Sequence, residues 1–111
     1  MREARIILPT DVAPAATDWL QAELADQFGG YTRTFGHGAW REPATGKLIE
    51  EPIAVYDIAV GEQHGPYDHW SNVLRETAIT VGRMAGQQSV YVRYPDGYVT
   101  IHEIAHKCAA A

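Results

Sequence analysis

The sequence predicts an α+β fold in which two amphipathic helices cover one face of an antiparallel sheet. Three observations carry this expectation. Ala16, Leu20, Leu24 and Phe28 recur at spacings of four and stop at Gly29-Gly30, which marks one apolar helix stripe and its end. Trp70, Val73, Leu74, Thr77, Val81, Met84 and Ala85 trace a second stripe of 3.6-residue period that ends at Gly86. Runs rich in β-branched and aromatic residues flank and separate these helices, at 5–8, 31–35, 53–60 and 90–94. The resulting order is β-α-β-β-α-β, a split β-α-β arrangement whose right-handed crossovers put both helices on the same side.

Each element has its own local signals. Arg5-Ile6-Ile7-Leu8 reads as a strand ended by Pro9, which cannot donate to a ladder. Thr10 and Asp11 are candidate caps for the first helix, and Pro14 suits its first turn. Tyr31 to Phe35 begins the next strand, after which Gly36, Gly38, Pro43 and Gly46 predict a glycine-studded bend with Trp40 at its end. Residues 47–51 and 53–60 resume extended structure, with Pro52 at an edge or bulge position, so a long twisted hairpin is expected here. Pro66 can open the second helix. Pro95-Asp96-Gly97 predicts a tight turn between residues 90–94 and an extra C-terminal strand, Tyr98-Val99-Thr100-Ile101.

A chain of 111 residues fits one domain, 1–111, and should bury roughly two-thirds of the surface that its unfolded state exposes. With 46% hydrophobic and 21% charged residues it sits near globular averages, so no disordered segment is expected. A formal charge of −5 disfavours phosphate backbones and anionic lipid heads, which makes nucleic acid a poor partner. Cys108 has no second cysteine to pair with, which fits a reducing compartment such as the cytoplasm. The apolar run before Pro9 is far too short for a signal-peptide core or a membrane span.

The strand residues alternate with apolar or aromatic side chains on both faces, so the face without helices needs a cover. A second protomer is the simplest one, which predicts a homodimer; a bound ligand or a folded-over hairpin comes next.

Ile6-Ile7-Leu8-Pro9, Phe28-Gly29-Gly30-Tyr31-Thr32, Gly38-Ala39-Trp40, Gly46, Glu51-Pro52, Val55-Tyr56 and Gln87-Gln88-Ser89-Val90-Tyr91-Val92 together resemble a family of small uncharacterised proteins of phages, plasmids and bacterial chromosomes. The resemblance runs to about Val92. It implies a ferredoxin-like fold and carries over no catalytic residue.

The sharpest motif is His102-Glu103-Ile104-Ala105-His106, an H-E-x-x-H string. On a helix the two histidines would stand about 6 Å apart along the axis and could share zinc, with the glutamate as base. On a strand they would be about 13 Å apart. Tyr98 to Ile101 reads as extended, so His102 is expected on a strand and zinc remains only the alternative, with His37, His64 or His69 as a third ligand.

His64, Asp68 and His69 gather at the start of the second helix, where Asp68 favours the positive end of the dipole. His37, between two glycines and near Trp40 and Arg41, forms a second group with Glu51 and Tyr56: a polar pocket with an aromatic wall and a conceivable acid/base pair. Trp70 and Trp19 read as packing residues, and Trp40 as the partner or ligand contact. RNA-binding domains share this topology, but the acidic balance and the missing aromatic strand motif argue against that use.

Together these observations predict a small non-catalytic binding protein of phage or mobile-element type. It would act on a host protein or capture a small molecule through its open sheet face or its Trp40 hairpin, with Trp40, His37, Arg41 and Tyr56 as contacts and no cofactor. The alternative is an enzyme, either a metal-dependent hydrolase using His102 and His106 or a cofactor-free dimeric α+β barrel using His37, Glu51 and Tyr56.

Overall fold

A computed structural model describes residues 1–105, so His106 and Cys108 lie outside the described residues. The elements follow in the order β1 (Arg2–Pro9), α1 (Pro14–Phe28), β2 (Thr32–Arg41), β3 (Leu48–Val60), α2 (Tyr67–Met84), β4 (Ser89–Arg93) and β5 (Val99–Glu103). The strands form one antiparallel sheet of order β2-β3-β1-β4-β5, and both helices pack on one face of it. This is the ferredoxin-like α+β fold with an added strand at the β4 edge.

The core explains the helix stripes. Ala16, Leu20, Leu24 and Phe28 of α1 are all buried, facing Ile6 and Leu8 of β1 and Tyr56 and Ile58 of β3. Leu74, Ala78 and Val81 of α2 meet Val90 and Val92 of β4. Each of the leucine, isoleucine, valine and phenylalanine side chains contributes roughly 1.5–3 kcal/mol by leaving water, and the alanines less. Met84, at the end of the α2 stripe, is instead 41% exposed because the helix stops there. Gly29 ends α1 in the left-handed conformation at φ +85, and its N–H donates to the Ala25 carbonyl.

Two local expectations fail for physical reasons. Neither Thr10 nor Asp11 caps α1: the N-cap is Ala13, and Thr10 instead donates its N–H to the Pro52 carbonyl, tying the end of β1 to β3. The expected glycine bend is strand, since β2 runs without interruption through Gly36 and Gly38 to Arg41. Pro52 sits inside β3, at the point where β1 has ended. Its carbonyl faces the β1 side, and so does its donorless nitrogen, so the proline costs the ladder nothing.

Beyond the Thr10–Pro52 bond, β3 pairs with β2 alone among the described residues. Residues 36–41 and 48–53 therefore leave the sheet as a two-stranded ribbon. Its tip is closed by bonds from the Glu42 N–H to the Lys47 carbonyl and from the Gly46 N–H to the Glu42 carbonyl, with Gly46 at φ +72.

Candidate functional site

Strand register sorts the predicted site residues onto opposite faces. Side chains alternate along a strand, and directly opposed residues share a face. Ala54, Tyr56, Ile58 and Val60 of β3 are buried beneath the helices. Their pairings place Arg33, Phe35, His37 and Arg41 of β2 on that same helix side. Glu51, Ile53 and Val55 therefore belong to the uncovered side, with Gly38, Gly36 and Thr34 opposite them, and Trp40 follows opposite Ile49.

The His37, Glu51 and Tyr56 grouping is thus not assembled. His37 lies opposite Pro52 and comes within 3.8 Å of Glu50, both well exposed, while Glu51 projects from the other side of the ribbon. Such an exposed pair adds little. Tyr56 is fully buried, its hydroxyl accepts from Gln21 Nε2 at 3.2 Å, and Tyr31 packs edge-on against its ring. Arg41 donates to the Gly46 carbonyl across the tip.

The other histidines are held by structure. The Gly61 N–H donates to His64 Nδ1 at 2.9 Å, which leaves the ring proton on Nε2 to donate to the Phe28 carbonyl at 3.1 Å. His64 thereby ties the turn before α2 to the end of α1. His69 stacks over Gly65 and borders the groove between the helices. His102 lies on β5 and not on a helix, and its Nε2 pairs with the Tyr94 hydroxyl at 2.8 Å. Among the described residues, no three His, Cys, Asp or Glu side chains gather as a metal site.

What the fold does build is a continuous surface on the uncovered side. Ile101, Tyr91, Ile7, Val55 and Thr34 are successive cross-strand partners, one from each strand, and form a row across the whole sheet. Beside it Arg5 grips Asp57 through two bonds, Nε to Oδ1 at 2.7 Å and Nη2 to Oδ2 at 3.2 Å. The hydrogen bond to Asp57 raises the Arg5 pKa above its ordinary value.

On the ribbon the same side carries Glu51, Ile49 and Trp40 around Gly36 and Gly38. Gly36 and Gly38 present no side chain there, and Ile53 folds over them: a Cβ on Gly38 would meet Ile53 Cγ2 at 3.2 Å. Trp40 is 46% exposed. A flat aromatic wall, a carboxylate on the same side and an approachable edge strand suit a ligand with a planar ring and hydroxyl or amino donors. Ile53 was not singled out by sequence reasoning; its only local signal is the Gly-His-Gly gap that it fills from 15 residues away.

No family model and no curated protein sequence matches the chain. Solved structures do. A phage SAM lyase in complex with S-methyl-5′-thioadenosine is similar with a TM-score of 0.68 at 16% identity, covering 94% of this chain and 88% of the other. A phage SAM lyase in the apo state gives 0.68 at 17% identity, with coverages of 95% and 89%. The B. subtilis GlnK–ATP complex gives 0.51 at 21% identity, with coverages of 93% and 82%. At these identities the similarity is one of fold. Among the described residues, no helix is long and apolar enough to cross a membrane.

Proposed function

We propose that this chain is a phage-related, cytoplasmic small-molecule-binding protein whose ligand carries an adenosine group. The observation that carries the proposal is the placement of Trp40 and Glu51 on one side of the ribbon, beside Gly36, Gly38 and the Ile53 side chain that lies over them. Adenine is a planar π-system suited to the indole face, and a ribose diol suits a carboxylate acceptor. Support comes from the ligands held by proteins of similar fold, S-methyl-5′-thioadenosine in one and ATP in the other.

In this proposal a second copy covers the apolar row from Ile101 to Val55, giving a homodimer. The row is a contiguous apolar stripe on an open sheet, the kind of surface that marks an interface. Arg93 strengthens the case, since it makes no ion pair among the described residues, and a face-to-face partner can bring a carboxylate to it.

Titration of S-methyl-5′-thioadenosine with tryptophan fluorescence as readout tests the ligand. Binding is expected to quench the signal. In calorimetric titration, which does not need the indole as reporter, Trp40→Ala and Glu51→Gln are each expected to weaken binding about tenfold or more, the second through loss of a charged acceptor. Equal affinity in both variants and the wild type would remove the ribbon from the proposal.

The second reading is enzymatic, cleavage of SAM, and it is favoured by the two lyase structures that cover nearly the whole chain. Incubation with SAM followed by chromatography for S-methyl-5′-thioadenosine separates the two: turnover supports the enzyme, binding without turnover the capture role.

A further inference from the structure

On the helix side, away from the ribbon, lies a groove of about 270 Å³ between α2 and the hairpin of β4 and β5. Tyr67, Ser71 and Arg75 line it from α2, one turn apart, and Tyr98, Thr100 and His102 line it from the hairpin. In a chain of formal charge −5, Arg75 is the only ionised side chain lining this groove among the described residues. Two carboxylates border the groove, and both already have partners in its lining. Asp96 accepts from the Tyr98 N–H at 2.9 Å and from the Tyr67 hydroxyl at 3.0 Å, and these bonds, the first above all, hold its pKa below the usual range. Glu76 meets Arg75 at 3.3 Å, but as an exposed pair that a ligand can displace.

We infer that this groove binds a small oxyanion carried on a flat ring, with Arg75 taking the anion and Tyr67 and Tyr98 flanking the ring. The Asn72 amide and the Thr100 and Tyr98 hydroxyls line the groove without a side-chain hydrogen bond among the described residues, which leaves their donors free for the same anion. Tyr67 and Tyr98 are 47% and 66% exposed, a large aromatic surface for a groove of this size. At its floor the Tyr94 hydroxyl and His102 Nε2 are 2.8 Å apart. Burial keeps this pair uncharged, lowering the His102 pKa and raising that of Tyr94; Arg75 lowers both. The floor itself therefore adds no charge beneath the guanidinium, and the exposed Glu76 is the carboxylate that the anion displaces.

Chemical-shift titration of the full chain tests this, with phenyl phosphate and benzoate as separate arms and with phenol and inorganic phosphate as ring-only and anion-only controls. Saturable shifts at the amides of Ser71, Thr100 and His102 are expected with phenyl phosphate, benzoate or both; which arm responds identifies the anion as phosphate or carboxylate. Arg75→Gln, an exposed substitution that leaves the core untouched, is expected to weaken binding about tenfold. Absence of saturable shifts in both arms, equal shifts with phenol, or unchanged affinity in Arg75→Gln would overturn the inference.

Discussion

Replacement of Tyr56 by alanine is expected to destabilise the fold by about 3–5 kcal/mol, the range for removing a large buried aromatic side chain. Tyr56 lies at the centre of β3, fully buried, with Tyr31 against its ring and Gln21 on its hydroxyl. Tyr56→Phe keeps the packing and loses one hydrogen bond, so it is expected to cost only about 1 kcal/mol and to leave ligand affinity unchanged. Urea denaturation gives both values. A phenylalanine variant of full stability that no longer binds ligand would show the phenol to be a working group instead of a core residue.

The second large effect is expected at Ile7, in the middle of the uncovered row, with Tyr91 on one side and Val55 on the other. Ile7→Asp places a carboxylate where two copies meet, once per copy. Leaving each charge unpaired in an interface costs on the order of 1–3 kcal/mol, so the two together are expected to weaken association by at least about 30-fold. Light scattering is expected to give twice 12.3 kDa for the wild type and 12.3 kDa for the variant at micromolar concentration. A wild type that stays at 12.3 kDa would mean that something other than a second copy meets this face.

The helices and the succession of strands along the chain were legible because their signals are local. All four stripe residues of α1 are buried and Gly29 takes the left-handed cap, since spacing of four and a terminal glycine act within one or two turns. The ribbon was not legible in the same way. Gly36 and Gly38 read as a bend because glycine usually marks one, yet neither has a positive φ, and the strand persists because Ile53 packs over them from β3. That contact is set by pairing, not by neighbouring residues.

The site depended on the same non-local fact. Whether Glu50 or Glu51 joins His37 is decided by a single step of register, and the pairing of His37 with Pro52 gives Glu50 to one side and Glu51, with Trp40, to the other. Tyr94 and His102 were closer to hand. The Pro95-Asp96-Gly97 turn between them fixes the hairpin and puts both side chains on its helix side, but the contact also needs the tyrosine ring to reach along the strand.

Hydrogen–deuterium exchange with and without S-methyl-5′-thioadenosine tests most directly whether the uncovered side of the ribbon is the working surface. Slowed exchange on ligand addition is expected at the amides of residues 36–40 and 49–53, with the helix-side groove at Arg75 unchanged. Protection confined to the helices, or none anywhere at saturating ligand, would contradict it.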